Sequence, residues 1–360
     1  MKRILLTGGG TAGHVTPNMA LIPGLKEAGY DIHYVGSYNG IERRLIEDMG
    51  IPYHGISSGK LRRYFDIKNF SDPFRVLKGY AEASRLMKKL KPNIVFSKGG
   101  FVAVPVVLAA RRRHIPVIIH ESDMTPGLAN RICIPSATKV CCNFPETLKN
   151  LPEDKAVLSG SPIRKELFDG SREEGLRLCG FQGDKPVLMA MGGSQGAAAI
   201  NKALRSNLDA LLRQFDIIHL CGKGNYDSSL EDKKGYKQFE YAKRELPHLF
   251  AITDLIISRA GANAICELLA LKIPNILIPL PASQSRGDQL LNAASFEKSG
   301  YSYVLQEEDM TDDSLLKAVQ YVYDEREEYK QALEESRLND SIAIITDLNN
   351  AGYSGVTGCR

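Results

Sequence analysis

No apolar run in this 360-residue sequence is long enough to cross a bilayer. The longest, Phe101 to Ala110, falls far short of the roughly 20 residues a spanning helix needs, so any membrane contact is expected to be peripheral. Met1 to Thr7 reaches glycine too soon for a signal-peptide core and reads as a first strand. Cysteine is sparse and unpatterned: Cys133, Cys141, Cys142, Cys179, Cys221, Cys266 and Cys359 make an odd count without C-x-x-C or zinc-ligand spacing. That argues against a disulfide framework and a metal centre, and predicts a reduced cytosolic protein with structural thiols. Neither sign of charge dominates, with 46 basic against 42 acidic residues, so nothing points to nucleic acid as a partner. Low-complexity tracts are also missing.

What is present is an ordinary globular composition, 43% hydrophobic and 24% charged, with length for two domains of about 150–200 residues each. The first half alternates strand-like runs (Arg3–Thr7, Ile32–Val35, Ile94–Ser97, Val117–His120, Lys139–Cys142) with helical stretches near Pro17–Ala28, Ile41–Met49, Pro73–Leu90 and Val104–Arg113. The second half repeats the scheme with strands at Pro186–Met191, Ile217–Leu220, Leu255–Ser258 and Asn275–Ile278, and a helix running through Leu212. Such alternation predicts parallel βαβ units, hence an α/β protein of two facing Rossmann-like domains with ligands at the carboxyl ends of the strands. The small-residue cluster Leu158-Ser159-Gly160-Ser161-Pro162 suits a hinge, which divides the chain into domains 1–160 and 161–338.

A glycine-rich turn follows the first strand of each half. In "GGGTAGH" (8–14), Gly8, Gly10 and Gly13 spell G-x-G-x-x-G, the dinucleotide fingerprint. That fingerprint needs an acid about 20 residues on, at the end of the second strand. Here the strand ends Tyr34-Val35-Gly36-Ser37, and Glu42 comes too late, which disfavours a nicotinamide or flavin cofactor. Small residues at a helix start still let backbone N–H groups approach a diphosphate, although a tight turn without ligand needs the same glycines.

Four further stretches resemble site material: "FSKGGFV" (96–102), "HESDMTPGLAN" (120–130), "SRAGANAICE" (258–267) and "QSRGDQLLN" (284–292). In the third, Gly261 and Ala262 can offer N–H groups to a phosphate while Glu267, about two turns in, can accept both hydroxyls of a ribose. The bland alternative is a solvated surface glutamate.

Together with "GSPIR" and "MGGSQGA", these stretches resemble, in order from Met1 to about residue 345, the N-acetylglucosaminyltransferases that complete lipid II. The resemblance implies a GT-B glycosyltransferase fold. It also implies transfer of N-acetylglucosamine from UDP-GlcNAc to the MurNAc 4-hydroxyl of undecaprenyl-diphosphate-MurNAc-pentapeptide, and a C-terminal helix of about 339–356 packed back on the first domain. By motif position it assigns Ser194, with Gln195 beside it, and Arg164 to the diphosphate or sugar. Gly261, Ala262 and Asn263 fall on the diphosphate and nucleoside, Glu267 on the ribose, Asp288 and Gln289 on the sugar or diphosphate, and Lys243 near the uracil. In the first domain Thr11, Ala12 and Gly13 would face donor sugar and acceptor, with Asp123 and Asn130 on the same wall. His14 is the expected general base or an acceptor-phosphate contact, since an imidazole is neutral and basic in the cell, and Glu121 is its rival as base. The sequence departs from the family pattern at Ala12, in place of a glycine, at Asp123, in place of asparagine, and at Asp288, where some members carry glutamine.

No D-x-D follows a strand, and no acid follows Glu267 at the E-x7-E spacing of many retaining enzymes, so inverting transfer without metal or other cofactor is expected. The lipid acceptor then requires an anionic membrane surface. The segment 59–80 offers Arg62, Arg63 and Lys68 beside Tyr64, Phe65, Phe70 and Phe74 for it, although an ordinary amphipathic helix has the same look. The expected place is the cytoplasmic face of the bacterial cell membrane, among cell-wall synthesis and division proteins. The alternatives are another GT-B UDP-sugar enzyme (a UDP-GlcNAc 2-epimerase or glycolipid glycosyltransferase), an NAD-dependent oxidoreductase, and a non-catalytic membrane scaffold.

Overall fold

The computed structural model describes residues 2–59, 72–193, 195–284, 287–336 and 341–357. Two compact units emerge: Met1–Arg164 together with Asp340–Arg360, and Lys165–Asn339.

In the first unit the chain runs β1 (Lys2–Thr7), α1 (Ala12–Glu27), β2 (Tyr30–Ser37), α2 (Ile41–Glu47), β3 (Tyr53–Ile56), α3 (Asp72–Leu90), β4 (Ile94–Ser97), α4 (Ala103–Arg112), β5 (Val117–Glu121), α5 (Leu128–Cys133), β6 (Lys139–Cys142) and β7 (Ala156–Leu158). The seven strands form a parallel sheet in the order β3-β2-β1-β4-β5-β6-β7. Alternate residues of β1 explain the two-sided core. Leu5 joins Val95, Ile119 and the helix residues Val106 and Val107 on one face, whereas Ile4 and Leu6 join Leu21, Ile22 and Leu25 on the other. Each such side chain contributes roughly 1.5–3 kcal/mol by leaving water.

The second unit continues α6 (Arg172–Cys179), β8 (Val187–Met191), α7 (Ala198–Ser206), α8 (Leu208–Leu211), β9 (Asp216–Leu220), β10 (Tyr236–Phe239), α9 (Leu246–Phe250), β11 (Leu255–Ser258), α10 (Ala262–Leu271), β12 (Asn275–Leu277), α11 (Asp288–Lys298), β13 (Tyr303–Val304), α12 (Asp312–Asp324) and α13 (Arg326–Glu334). Its parallel sheet has the order β10-β9-β8-β11-β12-β13. Last comes α14 (Ser341–Thr357), which belongs to the first unit. Ser341 donates to the Ser161 carbonyl at 2.7 Å, Ile345 is buried beside α1, and Asn350 accepts from the Tyr30 hydroxyl at 2.9 Å.

Four strands escaped the sequence pattern: β3, β7, β10 and β13. All four are sheet edges. Central strands of a parallel sheet are buried on both faces and read as continuous apolar runs, whereas edges are short and half-solvated. Two helices also differ from expectation. α1 starts at Ala12 rather than Pro17, carrying Pro17 and Pro23 inside it, and the helix expected to run through Leu212 breaks at Asn207. The Asn207 side chain donates to the Ala203 carbonyl at that break.

In both sheets the strand order reverses at the first strand, β1 beside β4 and β8 beside β11. Registers align Thr7 with Ser97, and Met191 with Ser258, so neighbouring loops leave each sheet at one level. These are the switch points where open α/β sheets hold ligands.

Candidate active site

In the first unit, three loops converge at the carboxyl edge, following β1, β4 and β5. Tyr34 donates to the Gly8 carbonyl at 2.7 Å and accepts from the Asn18 amide at 3.1 Å, which fixes where the glycine loop begins. Gly100 has φ +83°, and a Cβ there would overlap the Gly9 carbonyl oxygen. The β1 and β4 loops therefore touch backbone to backbone, a contact that only glycine permits.

His14 lies in the first turn of α1, half-buried. Its Nδ1 is 3.1 Å from the Gly9 carbonyl and 3.3 Å from Thr11 Oγ1. A carbonyl can only accept, so the proton belongs on Nδ1 and the Nε2 lone pair is left without a protein partner among the described residues. Burial pulls the His14 pKa below the usual histidine value; nearby Lys98 acts the same way, while the Gly9 carbonyl, Asp123 and Glu42 oppose it. The ring is thus held neutral and basic at physiological pH.

Glu121 ends β5 almost fully buried. Its carboxylate accepts the N–H of Asp123 (3.1 Å), the N–H of Gly127 (3.0 Å) and the side-chain amide of Asn130 (2.9 Å). Those three bonds shape the loop that carries Asp123 and seat α5 through Asn130. Arg164 stands half-buried where the first unit ends, and Thr11 is exposed at the start of α1.

In the sequence Glu42 stands too late for a ribose acid, and the structure gives it another place. It is fully buried at the start of α2, where it accepts the N–H of Gly10 (3.2 Å), the N–H of Ser37 (2.9 Å) and the Ser37 hydroxyl (2.6 Å). A Cβ at Gly9, Gly36 or Gly40 would run into its side chain. The glycines make room for an internal carboxylate that braces the loop from beneath. Their spacing around a lone glutamate was the available signal.

In the second unit the loops after β8, β11 and β12 share the carboxyl edge. The β8 loop turns through Gly193 (φ +82°) and Gly196 (φ +77°), and a Cβ at Gly222 would overlap the Gly196 backbone, so the β8 and β9 loops are in contact. Gln195 is exposed there, and Ser194 lies outside the described residues. α10 begins behind Gly261 with no side-chain cap, and a Cβ on Gly261 would meet nothing within 4 Å. The first-turn N–H groups, with Ala262 and Asn263 among their residues, thus form a positive helix end suited to an anion. Glu267 follows on the same helix, half-buried. The Asn292 amide donates to the Ala260 carbonyl at 3.2 Å, and Gln289, next to Asp288 at the start of α11, accepts the Leu280 N–H at 3.0 Å. Arg259 is spent on structure: it pairs with Glu307 and donates to the carbonyls of Ile278 and Pro279. Lys243 is exposed beyond the edge strand β10, and its N–H donates to Glu245 at 2.9 Å. Of the membrane-facing residues expected from sequence, Arg62, Arg63, Tyr64, Phe65, Lys68 and Phe70 lie outside the described residues, and Phe74 is 74% exposed on α3.

Two parallel Rossmann-like sheets, each with glycine loops at its switch point, make up the two-domain architecture of GT-B glycosyltransferases. Residues 4–142 match the glycosyltransferase family 28 N-terminal domain and residues 187–347 the family 28 C-terminal domain. A Lachnoclostridium phytofermentans protein named UDP-N-acetylglucosamine–N-acetylmuramyl-(pentapeptide) pyrophosphoryl-undecaprenol N-acetylglucosamine transferase is 67% identical, covering 97% of this chain and 98% of its own. The crystal structure of Acinetobacter baumannii MurG superposes with TM-score 0.78 at 28% identity, over 98% of this chain and 100% of that one. The chain belongs to glycosyltransferase family 28, and within it to the N-acetylglucosamine transferases of that name. A UDP-GlcNAc 2-epimerase from Methanocaldococcus jannaschii shares the fold alone, at 15% identity and TM-score 0.67 over 97% of this chain and 100% of that one.

Proposed function

We propose that this protein transfers N-acetylglucosamine from UDP-GlcNAc to the MurNAc 4-hydroxyl of undecaprenyl-diphosphate-MurNAc-pentapeptide, with inversion and without a metal. The observation that carries the mechanism is the His14 ring, with its Nδ1 proton engaged by the Gly9 carbonyl and its Nε2 lone pair unspent. In this reading Nε2 takes the proton from the 4-hydroxyl as that oxygen bonds to C1 of the sugar. The C1–O bond to UDP breaks and the diphosphate leaves with its electron pair. The N-terminus of α10 stabilises that leaving charge, and the family resemblance assigns Arg164 to the same diphosphate. Glu267 is read as the ribose acceptor and Gln289 as a sugar or diphosphate contact. Glu121, already holding three donors, is read as the organiser of the Asp123–Asn130 wall. Among the described residues no group of three or more His, Cys, Asp or Glu could hold a metal ion.

The direct test incubates the full chain with radiolabelled UDP-GlcNAc, a short-chain lipid I analogue and EDTA. Disaccharide-lipid product is expected with EDTA present. Absence of transfer overturns the reading, and UDP release without transfer points to the epimerase alternative.

The acceptor is a lipid, so the reading places the protein peripherally on the cytoplasmic face of the membrane, where cell-wall synthesis and division proteins are its expected neighbours. No helix among the described residues is long and apolar enough to cross a membrane. Phe74 and Leu77 are exposed on α3 beside Arg75 and Lys78, continuing the basic and aromatic character of the segment before it. Replacing Arg62, Arg63 and Lys68 by Glu is expected to abolish most binding to anionic vesicles, at roughly 1 kcal/mol per cation removed, with doubled effect on reversal of sign. Cosedimentation unchanged from wild type would eliminate this patch.

A further inference from the structure

A lysine at the end of a buried strand is the least expected residue of the first unit. Lys98 follows β4 directly and is 1% exposed. Burying an ammonium is costly unless it is hydrogen-bonded, and this one is: Nζ donates to Nδ1 of the fully buried His120 at 2.5 Å and to the Ser122 hydroxyl at 2.7 Å. With Nδ1 accepting, His120 carries its proton on Nε2, which donates to the Gly160 carbonyl at 2.8 Å. One cation thereby links the β4 loop, the β5 loop and the segment that leads to Arg164. The same lysine packs under the glycine loop, where a Cβ on Gly8 would meet its Cβ at 3.2 Å.

We propose that Lys98 is a positioning residue of the transfer reaction, a fixed buried cation that sets the β5 loop through Ser122 and His120 beneath the glycine loop. The proposal rests on the reaction assigned above. The charges that face His14 are Lys98 after β4, Asp123 after β5 and Glu42 on α2, two anions against one cation. Removing the cation removes its repulsion of the imidazolium, so the His14 pKa rises. The acid limb of the pH profile then moves to higher pH. The His120 pKa already lies well below the usual value, through burial and then Lys98, so that ring accepts and donates as a neutral group.

The experiment measures kcat and KM against pH for GlcNAc transfer to the lipid I analogue, with melting temperatures alongside, for wild type, Lys98→Met, Lys98→Arg and Ser122→Ala. Lys98→Met is expected to lose about tenfold or more in kcat from loop misplacement, with KM for UDP-GlcNAc little changed and the acid limb displaced upward. Lys98→Arg restores the charge and returns the limb toward wild type. Ser122→Ala lowers kcat and leaves the limb in place. Wild-type kcat and limb in Lys98→Met overturn the proposal. So does a loss of kcat with an unmoved limb that arginine does not relieve. If Lys98→Met fails to fold, the other two variants decide, and wild-type kcat in Ser122→Ala overturns it. A wild-type chain without transfer defeats the proposed function itself, a result distinct from all of these.

Discussion

Replacing His14 by alanine is expected to lower kcat for GlcNAc transfer by about 10²–10⁴-fold, the range for loss of a general base, with little change in KM for UDP-GlcNAc. The separation follows from geometry. Among the described residues the ring hydrogen-bonds only to its own loop, at the Gly9 carbonyl and Thr11, so its removal leaves the core intact and melting unchanged. Glu121→Ala is expected to behave differently, because it strips three donors of their acceptor in a buried position and lowers the melting temperature along with kcat. Comparing the two variants at matched folded fraction separates base from organiser. Turnover close to wild type in His14→Ala would remove His14 from the mechanism.

Gly100→Ala carries the second large effect, from a single added carbon. At φ +83° any other residue is strained, and the new Cβ would overlap the Gly9 carbonyl oxygen. Relief requires the two loops to part, and the combined cost is about 2–4 kcal/mol of stability. The displaced carbonyl is also the acceptor for His14 Nδ1, so the base loses its orientation, and kcat is expected to fall about 10²-fold among molecules that remain folded. Gly127→Ala is the control: at φ −64°, with nothing within 4 Å of its Cβ, it keeps its N–H bond to Glu121 and should change neither quantity. Calorimetry and steady-state kinetics on both variants check the prediction. Equal behaviour would show that the loop contact has no catalytic consequence.

Much of the fold is legible because parallel strands buried on both faces leave continuous apolar runs, as at Ile94–Ser97 and Leu255–Ser258. Edge strands such as Tyr53–Ile56 leave no comparable trace, since they pair on one side only and three of the four side chains here are merely half-buried. Pro17 concealed the true start of α1, because proline marks helix beginnings more often than second turns. The site motifs were visible as strings of small and polar residues after strands, but their internal bonds were not. "SKGGF" reads as a glycine turn with an incidental lysine. Nothing local says that the lysine reaches a histidine 22 positions on.

By itself the sequence determined the α/β class, two Rossmann-like halves, and the family to which the chain belongs, because each depends on local periodicity or on ordered short motifs. Only the tertiary structure decided what the charged and glycine residues do to one another. Glu42 became a brace for the first glycine loop, Glu121 an acceptor for three donors, and Lys98 a buried cation between neighbouring strands. The physical reason is that hydrogen bonds and close backbone approach act across a few ångströms of space. Strand order, which places β4 beside β1 and β5 beside β4, brings those groups within reach across tens of residues of chain.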